Sequence, residues 1–188
     1  MQTLARIIGS TALAAAAVAL TACGNGDDKS APSPSPTASH ASAAAEQPTT
    51  HGRECTAEDV KTTGGFGEAP TITIPDTCDP PKKLITKDLV EGTGPGAAAG
   101  QQLSMNYTLV TWSDHKKLDS SFDSGQPLPL QLGSGTVIKG WDDGLVGVKQ
   151  GGRRLLIIPP DLAYGPQGKG PVKPNETLVF VTDAVKVG

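Results

Sequence analysis

Val137-Ile138-Lys139-Gly140-Trp141-Asp142-Asp143-Gly144-Leu145-Val146-Gly147-Val148 contains the one segment of this chain that suits a helix. Within residues 139–148, Trp141, Leu145 and Val148 recur at helical spacing and define a single apolar face. Asp142 and Asp143 lie near the positive end of the helix dipole. Three glycines, Gly140, Gly144 and Gly147, make the helix intrinsically weak, so it has to depend on packing against something larger. What surrounds it is β-structure. Leu103, Met105, Tyr107 and Leu109 alternate with Ser104, Asn106 and Thr108, the pattern of a half-buried strand. Further strands are expected over 85–90, 128–132, 154–158 and 177–187, the last two rich in β-branched residues. Short apolar stretches separated by Gly-rich turns around one short helix predict an α+β domain.

A chain of 188 residues has room for one ordinary domain and some additional segments. With a formal charge of -3 it offers no polybasic field of the kind that holds nucleic acid, and no nucleic-acid partner is expected. Gly (23) and Pro (16) are abundant while aromatic residues make up only 4 %, so turns and linkers take much of the length and each aromatic is informative. Of the three histidines, His40 and His51 lie in or beside a low-complexity stretch and His115 in an expected turn, so neither a catalytic triad nor a metal-ligand cluster can be assembled. Gly94-Pro95-Gly96 and Gly133-Ser134-Gly135 lack the Lys-Ser/Thr ending of a phosphate loop. No metal and no cofactor is expected.

Residues 1–22 read as a signal peptide: Arg6 precedes an uncharged apolar run over 7–20 that is too short for a permanent bilayer span. The run ends in Leu20-Thr21-Ala22-Cys23, which looks like a bacterial lipobox with Cys23 as the lipidation site and membrane anchor. Residues 23–50 then form a tether, because the Ala, Pro, Ser and Thr that dominate it bury too little apolar surface to offset the entropy of ordering. Setting Cys23 aside leaves Cys55 and Cys78, a natural disulfide pair in an oxidising compartment. They lie within an N-terminal extension, residues 51–83, whose alternating Thr71-Ile72-Thr73-Ile74 could add a strand to the main domain over 84–188.

Four local sequences and one strand aromatic now come together: Tyr107; Lys117-Leu118-Asp119-Ser120-Ser121; Val137-Ile138-Lys139-Gly140-Trp141 with Gly144; Pro160-Asp161-Leu162-Ala163-Tyr164-Gly165; and Phe180. In this order and at these separations they resemble the FKBP-type peptidyl-prolyl cis/trans isomerases. The resemblance implies a strongly twisted antiparallel sheet wrapped around one short helix, with a shallow pocket between them. Carried over by position, it makes Trp141 the floor under a substrate proline. Val137 and Ile138 then form one side, with the Ile138 N–H donating to the peptide. Tyr107, Phe180 and Val172 become walls, Tyr164 offers its hydroxyl from a loop, and Asp119 is the polar residue at the rim. Leu118 and Leu128 occupy substrate-binding positions where the family usually carries phenylalanines, so a wider, less aromatic pocket is expected. Ser124 stands where an arginine often pairs with the rim aspartate; if Asp119 is buried without another cation, desolvation should raise its pKa. Lys169 replaces a common histidine. The implied activity is rotation of X-Pro bonds in unfolded or extended proline-containing polypeptides, carried out by a monomer anchored at the outer face of a bacterial cell membrane. The alternative is a chaperone or peptide-binding module of the same fold with little or no turnover.

Overall fold

A computed structural model describes residues 51–188; the expected signal peptide, Cys23 and the whole tether lie outside these described residues. Ten elements follow in order: β1 (Lys61–Thr63), β2 (Thr71–Thr73), β3 (Ile85–Val90), β4 (Gln102–Thr111), β5 (Lys117–Ser120), α1 (Ser121–Ser124), β6 (Leu128–Gln131), α2 (Lys139–Gly144), β7 (Arg153–Ile158) and β8 (Leu178–Val187). The main sheet runs β3-β7-β8-β4-β5, and β6 also pairs with β4. All its pairings are antiparallel. The long β4 is shared along one edge: Met105 and its predecessors pair with β6, while Thr108, Leu109 and Val110 pair with β5. The class is the α+β arrangement expected from the sequence.

Both faces of this sheet are covered, which explains why β7 is buried along its whole length instead of alternating. On one face Leu103, Met105, Leu156, Ile158, Leu178 and Phe180 pack with Trp141, Leu145 and Val148 from α2 and the turn after it. On the other, Val110, Leu155, Ile157, Val179 and Val181 pack with Cys55, Val60, Ile74 and Cys78 of the extension.

The helix is shorter than the periodicity over 139–148 suggests. It ends at Gly144, with the Leu145 N–H still donating to the Trp141 carbonyl at 3.0 Å. Gly147 then takes a left-handed φ of 78° and donates to the Ala97 carbonyl at 2.7 Å, which stops a further turn. The other two glycines serve close approach. A Cβ on Gly140 would lie 2.3 Å from Ile158 Cγ2, and one on Gly144 2.9 Å from Leu156 Cδ2, so only glycine lets α2 settle on β7. Arg154 of β7 completes the end of the helix, donating through Nη1 to the Gly144 and Val146 carbonyls at 2.9 and 2.8 Å while pairing with Asp88.

The extension adds no strand to the main sheet. The alternating stretch forms β2, but its partner is β1, in a separate two-stranded sheet. Ile74 is buried against the main sheet and Ile72 packs beside it, so the contact is made by side chains and not by a backbone ladder. The Cys55–Cys78 disulfide is formed, with Cα atoms 5.1 Å apart. A buried clamp fastens the extension: Arg153 Nε and Nη2 donate to Asp183 at 2.6 and 2.8 Å, and Nη1 and Nη2 donate to the carbonyls of Gly64 and Glu68 at 2.7 and 2.6 Å. Asp183 in turn accepts the Gly67 N–H at 2.7 Å.

Candidate active site

The pocket lies between the start of α2, β4, β8 and the loop after β7, and encloses about 390 Å³. Its floor follows from the geometry of the helix start. Ile138 is the N-cap, in an extended conformation (φ -61°, ψ 147°), and the Trp141 N–H donates back to its carbonyl at 2.9 Å. This turn directs Trp141 into the core at 3 % exposure. Tyr107 and Phe180 meet its ring almost perpendicularly, with centroids 5.4 and 5.3 Å away and interplanar angles of 85° and 79°. The indole N–H has no acceptor among the described residues, so packing alone holds the ring. Val137 and Ile138 line the adjoining wall. Among the described residues no backbone carbonyl takes the Ile138 N–H, which leaves a donor at the edge of an apolar floor.

Opposite, the Tyr107 hydroxyl donates to Asp119 Oδ2 at 2.5 Å, and Asp119 Oδ1 accepts the Ser120 N–H at 2.8 Å. Burial, reinforced by the neighbouring Asp119 carboxylate, pushes the Tyr107 phenol well above its ordinary value of 10.0. Asp119 itself is exposed, as suits a residue at the rim, so the condition of burial is not met, and its neighbour Lys117 pairs with Asp123. Tyr164 projects from the loop between two short 3₁₀ turns, Pro160–Leu162 and Gly165–Gln167. The Gly165 carbonyl accepts the Asn175 N–H at 3.0 Å, bracing this loop near its base.

Seven of the residues singled out in the sequence line this one pocket: Tyr107, Asp119, Val137, Ile138, Trp141, Tyr164 and Phe180. Leu128 joins them at the mouth, 36 % exposed. Two placements differ from expectation. Val172 is buried in the core behind the pocket, because its backbone bonds both ways with Lys169 and turns the side chain inward. Leu118 lies in a neighbouring groove of about 620 Å³ between β5 and β6, which shares Tyr107, Asp119 and Leu128 with the pocket. Asp142, read in the sequence only as a dipole partner, has a further role: it accepts the Gly133 and Gly135 N–H groups at 2.8 and 3.0 Å and so shapes the turn leading to Val137. Glycines at 133 and 135 before an acid at 142 carry no signature that spacing could have exposed.

Comparisons with known proteins agree with this geometry. The family model described as "FKBP-type peptidyl-prolyl cis-trans isomerase" matches residues 94–184. The chain is 49 % identical over 122 residues to the FK506-binding protein of Streptomyces anulatus, covering 64 % of this chain and 98 % of that protein. To the FK506-binding protein of Neisseria meningitidis serogroup A it is 46 % identical over 106 residues, covering 55 % of this chain and 95 % of the relative. Among solved structures it is similar to AtFKBP13, with a TM-score of 0.52 and 36 % identity over 56 % of this chain and 93 % of the other. FkpA from Escherichia coli matches with the same score and identity, over 55 % of this chain and 47 % of that one. A pocket with this floor, on this sheet, in a chain so closely related over nearly the whole length of its relatives, belongs to the FKBP-type peptidyl-prolyl cis-trans isomerase family.

Proposed function

We propose that the chain isomerises X-Pro bonds of extracytoplasmic polypeptides at the outer face of the cell membrane, held there by a lipid on Cys23. The observation that carries the catalytic part is the Trp141 floor, enclosed by Tyr107 and Phe180 with an unclaimed Ile138 N–H at its edge. An X-Pro amide resists rotation by about 18–20 kcal/mol because resonance gives its C–N bond partial double-bond character. That resonance separates charge, and twisting the bond removes it. An X-Pro amide whose ring sits on an apolar, water-poor floor therefore loses more solvation in its planar state than in its twisted one. The Ile138 N–H and the Tyr164 hydroxyl supply donors to peptide carbonyls on either side of the rotating bond, and hold it in place without a covalent step. The Tyr107–Asp119 hydrogen bond fixes the far wall.

The anchoring part rests on the apolar run and the lipobox ending at Cys23. The test has two arms. X-Pro isomerisation is measured for the wild type, Trp141→Ala and Tyr164→Phe, with activity expected to fall at least tenfold in the first and severalfold in the second; no turnover by the folded wild type would sink the catalytic reading. Metabolic labelling with a fatty acid should mark the wild type and not Cys23→Ser, and equal labelling of both would sink the anchor.

A further inference from the structure

Two charged residues line the otherwise largely apolar pocket, and they differ in how far they are already engaged. Asp119 is occupied, accepting from the Tyr107 hydroxyl and the Ser120 N–H. Among the described residues Lys169, like Lys61, Lys83 and Lys186, has no carboxylate partner, but it alone of these four lines the pocket. Its ammonium rests 5.6 Å from the centroid of the Tyr164 ring.

The backbone beneath Lys169 is held in place. Its N–H donates to the Val172 carbonyl at 3.0 Å and the Val172 N–H donates back at 2.9 Å, closing a tight hairpin through Gly170 and Pro171. Before it, Gly168 has a φ of 64°, and a Cβ there would come within 2.4 Å of the Val172 carbonyl oxygen. A lysine on a pinned base, beside a half-buried aromatic, keeps its stem in one place while its head remains free to swing toward a ligand.

We propose that Lys169 is a specificity-determining residue that selects substrates carrying an acidic side chain close to the proline. The inference rests on the isomerase reading of the pocket. Asp119 and Lys169 both line the pocket whose floor is Trp141, so a glutamate or aspartate on a peptide seated there is attracted toward Lys169 and repelled from Asp119. Charge then selects the peptide and also sets its direction across the pocket. The Tyr164 ring serves as the resting seat of the ammonium when no carboxylate is present.

The test uses the full chain, purified in mild detergent, and short X-Pro peptides with Glu, Gln or Lys placed in turn at the residue before and the residue after proline. For an exposed ion pair the wild type should prefer Glu over Gln at one of these positions by about two- to fivefold in kcat/KM. That preference should disappear in Lys169→Gln, turn toward Lys in Lys169→Glu, and fade as salt is raised. The same peptides are titrated for binding, so the ratios are read even if turnover is absent, and a chain that binds with charge selection but does not turn over would fail only the isomerase reading. Equal Glu-to-Gln ratios in the wild type and Lys169→Gln at both positions, in binding and in turnover, overturn the proposal.

Discussion

Replacing Arg153 by methionine should destabilise the fold far more than any surface substitution, while leaving the chemistry of the pocket in place. The Arg153 guanidinium is 1 % exposed and makes two bonds to the equally buried Asp183 and two to carbonyls of the extension. Methionine fills much of the volume but strands the carboxylate with the Gly67 N–H as its remaining donor. Removing one partner of a buried pair costs about 3–5 kcal/mol, because the other charge is left desolvated and uncompensated. With a urea dependence of about 2 kcal/mol/M, that is a fall in midpoint of about 1.5–2.5 M. Adding Asp183→Leu should recover at least half of the loss: the stranded charge is gone, and Gly64, Gly67 and Glu68 are exposed enough for their backbone groups to take water. Tryptophan fluorescence follows both cores at once, since Trp112 lies in the core beneath the extension and Trp141 in the one beneath the helix. A loss below about 1 kcal/mol for the single variant, or a double variant no more stable than the single, would refute the view that a desolvated charge pair clamps the extension.

Gly140→Ala should lower stability by about 1–2 kcal/mol, since the overlap with the fully buried Ile158 outweighs the gain in helix propensity. It should also reduce kcat/KM by displacing Trp141, and unchanged turnover would show that the floor tolerates movement of α2. The raised Tyr107 pKa has a defined sign: the stability it contributes is complete below the ordinary phenol value of 10.0 and is lost as pH rises from there through the folded value. Alkaline titration followed by tyrosinate absorbance should therefore contain a late step that vanishes in Tyr107→Phe, and the stability of that variant should fall less steeply above pH 10.0 than that of the wild type.

Much of the pocket could be read in the sequence because its parts are local. Trp141 with Val137 and Ile138 is a single helix start, and Tyr107 is placed by the alternation of its own strand. Phe180 is placed by the resemblance and not by locality; in the fold it reaches the pocket because β4 and β8 pair with Leu109 opposite Phe180. Features that depend on distant partners were not legible. The end of α2 is decided by Gly147 meeting Ala97 and by Arg154 reaching helix carbonyls across the sheet. Val172 turns inward because of a two-residue hairpin that side-chain type does not announce. The short β5 and α1 were hidden by Asp119-Ser120-Ser121, residues whose composition favours turns. The extension was misjudged for a related reason: alternation identifies a strand but not its neighbour, and β2 found β1.

The covered outer face of the sheet changes what counts as the smallest independent form of this enzyme. The family model, which matches residues 94–184, and the pocket geometry alone would place the catalytic unit after residue 83. Severing the chain there would expose Val110, Trp112, Leu155, Ile157, Val179 and Val181 to water as one continuous apolar surface on a β-sheet, and would leave Arg153 without its two carbonyl acceptors. Such a surface favours self-association. The disulfide-linked segment is thus an integral lid for the back of the sheet, and trimming it would leave the remaining fold prone to self-association.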